Sequence, residues 1–436
     1  MSGWAVNNRG ASRAVSPSRL AAFEILTAVD AGRGHSDELL HMPRVAVLSP
    51  EDRNLTTTLV MGVLRWQIAL DARLREFLQR PEQRLAEPVA IALRIGAFQL
   101  LHLDRIPAHA ALSESVELCR AAGHPHATGM VNAVLRKLAA AKRPGVPIHE
   151  SVAAFAERLG HPAWVAERWA SAYGREPAFK ICEADQQEPA EGGMFAESGG
   201  DLPQIDDGSR LVAELAVAAM PDAKRVWDCC AAPGGKALIL ARRLNEAAIV
   251  ASDVSAKRLA AMEARLKRHA YAERIMCAIS DAADARGVEG EFDLILCDVP
   301  CSGTGTLARN PEIRHRLKPE DFARQATRQR AILAGALGRL APGGRLVYST
   351  CSLEPEECEQ VVDAVMAEGS WRRVSVEGLM HQLSEQGVLL ADVWPGTAMR
   401  GGALRTLPGV HGCDGFFAVV LERVTADRER AMSGEI

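Results

Sequence analysis

The sequence predicts two domains of different class, an all-helical one over residues 16–142 and a doubly wound α/β one over 206–425. Three observations carry this. In the first third, apolar residues recur three and four positions apart, with prolines between the runs. From residue 206 onward, short apolar segments alternate with amphipathic ones, the rhythm of strands and helices around a parallel sheet. Two of those strands run into chemically capable residues: 292–296 into Asp298-Val299-Pro300-Cys301, and 345–349 into Thr350-Cys351. Open α/β sheets bind ligands at the carboxyl ends of their strands, so two thiols and one carboxylate are expected to converge on one pocket.

In the helical part, Ser16-Pro17-Ser18 is a start signal before Leu20, Phe23, Ile25 and Leu26. Leu55, Leu59, Val63 and Leu64 follow at helical spacing, then Ile91, Leu93, Ile95, Leu100 and Leu101. Pro43, Pro81 and Pro107 punctuate these runs, and a last helix is expected over 129–138. Residues 1–15 read as a disordered lead. Lys142-Arg143-Pro144-Gly145-Val146-Pro147 reads as a linker, opening an intermediate segment over 143–205 that holds a helix near 163–173 and a polar stretch at 181–203.

The bulk numbers set limits. Of 436 residues, 48% are hydrophobic and 24% charged, the composition of a soluble globular chain. No apolar run approaches the ~20 residues of a membrane span, and the first residues lack the apolar stretch of a signal peptide. A cytoplasmic protein is expected, without membrane contact and as a monomer. The ten cysteines include no CxxC pair, so no metal site is expected. Residues 1–145 carry 18 Lys and Arg against 13 Asp and Glu, whereas the remainder carries 33 against 42. The net charge of −4 therefore hides a basic amino-terminal part, which leans toward a polyanion.

In the α/β part, an amphipathic helix over 208–220 precedes strands at 225–228, 248–252, 274–278, 292–296 and 345–349, with helices from 235, from 255 and over 321–340. Two more strands are expected at 403–407 and 416–422, and 426–436 reads as a tail. The first strand enters Cys230-Ala231-Ala232-Pro233-Gly234-Gly235-Lys236, where glycines let backbone N–H groups approach a ligand. This is neither a phosphate loop of the GK[ST] kind nor GxGxxG. Asp253, 19 residues past Gly234 at the end of the next strand, is placed to hold ribose hydroxyls. Asp281, after the third strand, is placed to reach an adenine edge or to cap a helix. A glycine turn and a ribose acid without phosphate-binding residues suit S-adenosylmethionine.

The helical region resembles the NusB-like RNA-binding fold. The likeness rests on Gly62-Val63-Leu64-Arg65, on Ile106-Pro107 with His109-Ala110-Ala111, and on Asn132-Ala133-Val134-Leu135-Arg136. The α/β region resembles the Sun/RsmB family of RNA 5-methylcytosine methyltransferases, in CAAPGGK (residues 230–236), DVPCSGTG (298–305), Arg309-Asn310-Pro311-Glu312, YSTCSLEPEE (348–357) and DGFF (414–417). The resemblance implies a Rossmann-like class I methyltransferase domain preceded by a NusB-like domain. It also implies that Cys351 is the nucleophile, that Cys301 assists release of the methylated RNA and that Asp298 contacts the cytosine beside the cofactor. Cys230 to Lys236, Asp253, Asp281 and Asp298 would hold S-adenosylmethionine. The chemistry agrees. Carbon 5 of a pyrimidine becomes nucleophilic only when a thiolate adds to carbon 6, an acid serves ring nitrogen 3, and a base later removes the carbon 5 proton. DNA cytosine-5 enzymes are similar but use the Pro-Cys thiol as nucleophile. The resemblance implies small-subunit (16S) rRNA as substrate. A tRNA cytosine-5 methyltransferase would share the catalytic residues, and a non-catalytic RNA-binding or assembly factor would not need them. The chain departs from the family pattern at Val299, where alanine is usual, and over 181–203, which lacks a longer insert with an Arg-Val-Asn signature.

Overall fold

A computed structural model describes residues 15–424 apart from 143–144, 146–148, 190–191, 198–201, 370 and 391–397. The expected tail, all but Val15 of the expected lead, and all but Lys142 and Gly145 of the expected linker lie outside the described residues. The chain forms two compact units. One comprises residues 1–187 together with Ala308–Arg316, the other Glu188–Leu307 with Leu317–Ile436.

The first unit is helical, as its spacing predicts. Its main helices are Pro17–Asp30, Pro50–Arg75, Glu87–His102, Ala108–Ala121 and Thr128–Ala140. Proline stands in the first turn of several, where its missing N–H is no loss. Ser49 caps the longest, its hydroxyl accepting from the Asp52 N–H at 3.1 Å. The positions read as periodic, among them Ile25, Leu59, Ile91 and Leu93, form the buried core.

The compact unit runs on past the helical domain expected over 16–142, through helices Val152–Arg158, Ala163–Tyr173 and Arg175–Ala184, in which Phe155, Val165, Trp169 and Ile181 are buried. It also takes in Ala308–Arg316, a segment from the middle of the α/β sequence. Arg314 in that segment is buried and donates to the backbone carbonyls of Arg65, Gly160 and Asp185 at 3.2, 3.1 and 3.4 Å. Glu312 accepts from the N–H and hydroxyl of Ser36 at 3.0 and 2.9 Å.

The second unit is the doubly wound sheet. Its strands are β1 (Arg225–Asp228), β2 (Ala248–Asp253), β3 (Ile275–Ile279), β4 (Phe292–Asp298), β5 (Leu340–Thr350), β6 (Trp371–Val374), β7 (Met399–Arg400), β8 (Ala403–Arg405) and β9 (Phe417–Arg423). The order is β3-β2-β1-β4-β5-β9-β8-β7, with β6 also paired to β9. β1 to β5 are parallel and β9 is antiparallel to β5. Both faces are covered. Along β4, Leu294 and Leu296 enter one core and Phe292, Ile295 and Cys297 the other, which is why the strand reads as a continuous apolar run.

Strand order reverses between β1 and β4, so the crevice at their carboxyl ends is the topological switch point. Several elements differ from the reading. The helix placed at 321–340 is Pro319–Leu337, and Leu340 already pairs with Phe292 in β5, ahead of the irregularity at Pro342-Gly343-Gly344. The short strand β6 and the helix Val376–Glu385 were not anticipated, since β6 is only half-buried and lacks alternation.

Candidate active site

The site is built from five parallel strand ends. β1 ends at Asp228, and the turn that follows is tied to its neighbours by the Cys229 N–H to Leu296 carbonyl bond (3.0 Å) and the Ala231 N–H to Ser252 carbonyl bond (2.8 Å). Gly234 opens the helix Gly235–Arg243 with φ +94°, a left-handed conformation, and a β-carbon there would lie 2.7 Å from Met262. The turn Cys230-Ala231-Ala232-Pro233-Gly234-Gly235 therefore keeps its close backbone path only with glycine at that position.

At the end of β2, Asp253 is 2% exposed. Its Oδ1 accepts from the Ser255 N–H and from Arg258 Nη2, each at 2.8 Å. Its Oδ2 is buried without a hydrogen-bond partner among the described residues. A buried acceptor left unpaired costs about 1–3 kcal/mol, which a ligand hydroxyl would offset. Arg258, which pairs with this carboxylate, is about half-exposed. Asp281, beyond β3, is exposed, and its carboxylate accepts from the Ala283 N–H at 3.1 Å. The structure thus places Asp281 at the same sheet edge, in a local turn.

β4 and β5 lie side by side, with Asp298 in register with Ser349. Asp298 is held from two directions: Lys236 Nζ donates to Oδ2 at 2.6 Å and the Ser349 hydroxyl to Oδ1 at 2.7 Å. Burial alone would lower the Lys236 pKa, but Asp298 more than offsets this and holds it above its ordinary value. Three residues past Asp298, Cys301 turns back toward β5. Its Sγ lies 3.2 Å from Sγ of Cys351, the first residue after β5. The contact with Cys301, then burial and the Asp298 charge, push the Cys351 thiol well above its ordinary pKa, with Lys236 opposing.

The backbone around the thiols is tightly packed. The Gly305 N–H donates to the Cys351 carbonyl at 2.9 Å, and the Gly415 N–H to the Gly305 carbonyl at 2.8 Å. A β-carbon on Gly305 would stand 2.1 Å from the Gly415 oxygen. The loops bearing Cys301, Cys351 and Asp414 therefore meet through bare backbone.

Of the residues singled out in the sequence, Cys301, Cys351, Asp298 and Lys236 form one constellation, and the glycine turn and Asp253 line the same sheet edge. The other thiols on these strands, Cys229 and Cys297, are buried in the core. Sequence reasoning missed Asp228. It is 1% exposed, and neither carboxylate oxygen accepts a well-formed hydrogen bond among the described residues. Burial, reinforced by Asp298 and opposed by Lys236, pushes its carboxyl up to about 7. Its position as last residue of the strand before the glycine turn was the available signal.

This yields a pH prediction. Asp228 binds its proton more tightly folded than unfolded, so that contribution to stability is full below about pH 4 and is lost as pH rises toward and through 7. Asp228→Asn should therefore raise the ligand-free melting temperature at pH 8 relative to wild type, by more than at pH 5. Thermal unfolding at the two pH values checks it.

The comparisons agree with the geometry. The model for "16S rRNA methyltransferase RsmB/F" matches residues 216–422, and that for the NusB family matches 16–140. The chain is 33% identical to the probable ribosomal RNA small subunit methyltransferase B of Bacillus subtilis, covering 91% of this chain and 96% of that one. It is also 33% identical to the ribosomal RNA small subunit methyltransferase B of Xanthomonas campestris, covering 93% and 96%. The crystal structure of PH0851 shares the fold, with TM-score 0.69 at 20% identity over 94% of this chain and all of that one. The expected Rossmann-like domain preceded by a NusB domain is thus observed, and the chain belongs to the RsmB/F methyltransferase family.

Proposed function

We propose that the chain is an S-adenosylmethionine-dependent methyltransferase that acts on carbon 5 of a cytosine in small-subunit (16S) rRNA through a covalent adduct with Cys351. The observation that carries this reading is the pair of thiols 3.2 Å apart beside the Asp298–Lys236 pair at the sheet's carboxyl edge. No amino-group or hydroxyl methylation requires two such thiols.

The cofactor residues fit their group. Cys230 to Gly235 would supply close backbone, the unpartnered Asp253 Oδ2 would accept a ribose hydroxyl, and Asp281, at the same sheet edge, would serve the adenine. When bound, S-adenosylmethionine supplies an electrophilic methyl group. Cys351, whose thiol holds its proton in the free protein, adds to carbon 6 as that proton passes to Asp298. The Asp298–Lys236 pair provides the proton required at ring nitrogen 3. After methylation, Cys301 as thiolate takes the proton from carbon 5, ring nitrogen 3 returns its proton to Asp298, the 5,6 double bond re-forms and Cys351 leaves as thiolate.

A cytosine must leave its stack to reach these sulfurs, so a loop or single strand is the expected target. The helical unit supports an RNA partner. A groove there is lined by Arg80, Arg84, Lys137, His124 and His126 over an apolar floor, with no acidic side chain lining it among the described residues. The Arg80, Arg84 and Lys137 side chains have no ion-pair partner among the described residues. Changing all three to glutamate should weaken RNA binding and flatten the slope of log affinity against log salt by up to about three, near one per lost phosphate contact. Filter binding across a salt series checks this.

No helix among the described residues is long and apolar enough to cross a membrane. Bisulfite sequencing of rRNA and tRNA from a deletion strain tests the substrate. Loss of one small-subunit rRNA 5-methylcytosine supports the proposal, and loss confined to tRNA replaces it with the tRNA reading.

A further inference from the structure

Six residues past the candidate nucleophile, Glu357 is fully buried. A buried carboxylate is costly unless donors surround it. Here the donors come from both cysteine loops. Oε1 accepts the Ser302 N–H at 2.9 Å and Gln329 Nε2 at 3.0 Å. Oε2 accepts the Ser352 hydroxyl at 2.6 Å and also the Ser302 hydroxyl. Ser302 directly follows Cys301 and Ser352 directly follows Cys351. Gln329 also donates to the Pro300 carbonyl at 3.0 Å, which ties the residue before Cys301 to the same carboxylate. Glu357 is itself fixed, its carbonyl accepting from the Tyr348 hydroxyl at 2.7 Å. It has no ion-pair partner among the described residues, so its setting consists of neutral donors that converge from the two cysteine loops and from the helix Pro319–Leu337.

We propose that Glu357 is a positioning residue that clasps the Cys301 and Cys351 loops and thereby sets the distance between their sulfurs. This rests on the two-cysteine reading above. If Cys351 bonds to carbon 6 and Cys301 reaches the proton on carbon 5, the two sulfurs address neighbouring atoms of one ring. Loosening the clasp lets the first bond form but misplaces the base that resolves it. A displacement of about 1 Å in such a group costs up to ~10²-fold in rate. The loss therefore falls on turnover and not on RNA binding.

The experiment uses the full chain, a small-subunit rRNA transcript free of 5-methylcytosine, and S-adenosylmethionine. Glu357→Ala should lower kcat by ~10- to 100-fold with KM for the transcript unchanged, while denaturing gels show more protein covalently joined to RNA than in wild type. Glu357→Gln keeps one acceptor for the Ser302 N–H and Gln329, and its amide can donate to the two hydroxyls, so it should recover most of the turnover. Wild-type turnover in Glu357→Ala, or a loss expressed only in KM without adduct, overturns the proposal. If Glu357→Ala does not fold, Ser302→Ala and Gln329→Met each remove one arm of the clasp and should each raise the adduct fraction; wild-type behaviour in both overturns it. Cys301→Ala is run in parallel. No adduct there means that the two-cysteine reading fails, whereas adduct there but none in Glu357→Ala defeats the clasp alone.

Discussion

Cys351→Ala is expected to abolish methyl transfer, by at least ~10⁴-fold, and to leave no covalent protein–RNA species. Cys301→Ala is expected to do the opposite with the RNA, forming an adduct that does not resolve. The asymmetry follows from the different roles the proposed mechanism gives the two sulfurs, not from their separation, which is 3.2 Å. Removing the nucleophile removes the only route to a nucleophilic carbon 5. Removing the base leaves addition and methylation intact but strands the product on Cys351. Cys301→Ala removes the contact that contributes most to the raised pKa of Cys351 but leaves burial and the Asp298 charge, so adduct formation in that variant should still rise with pH as the thiolate becomes more accessible. Denaturing gels with labelled transcript, read beside methyl incorporation from labelled S-adenosylmethionine, separate the cases. Adduct in Cys351→Ala and none in Cys301→Ala would exchange the two roles.

The features on which this prediction depends were legible in the sequence for identifiable reasons. Buried parallel strands read as apolar runs, and function collects at their carboxyl ends, so Asp298, Cys301 and Cys351 could be grouped from the runs 292–296 and 345–349 alone. The glycine turn was equally visible, because Gly234 adopts a backbone conformation that other residues rarely take. What escaped notice depends on long-range contact. Nothing local to Glu357 indicates that its carboxylate faces Ser302, 55 positions earlier, or that Lys236 extends to Asp298. Asp228 looked like the end of a strand, and only the surrounding burial makes its carboxyl unusual. The limits of the helical unit were hidden for the same reason. Its helices past 150 are short, and its last piece arrives from residue 308.

That last piece yields the other large effect. Arg314→Leu should lower the stability of the helical unit by about 3–5 kcal/mol, or ~10 °C in its melting transition. The argument starts from burial. Arg314 is 2% exposed, and burial lowers its pKa to about 10, so it remains charged at neutral pH. What makes that charge tolerable is the nearby Asp185 carboxylate, together with carbonyls from three places: Arg65 in the helix Pro50–Arg75, Gly160 in the turn after Val152–Arg158, and Asp185 at the end of Arg175–Ala184. Leucine would occupy much of the space but leave the Gly160 and Asp185 carbonyls without this donor, at about 1–3 kcal/mol each before relaxation, and the Asp185 carboxylate without its countercharge. Lysine would keep the charge but present one ammonium instead of a planar fork, so Arg314→Lys should fall between the two. The segment is also pinned by Glu312 on Ser36 and by Arg65, which donates to the Ala308 carbonyl at 2.9 Å. A fragment of residues 1–187 lacks all of these partners and should be less stable than the same unit in the full chain. Hydrogen exchange should locate the loss of protection in 150–187 of Arg314→Leu, and unchanged melting would show that the segment merely rests on that unit. If the loss appears there, the stretch that follows the Cys301 loop is a structural part of the helical unit, although Glu188–Leu307 of the other unit separates it from the rest in sequence.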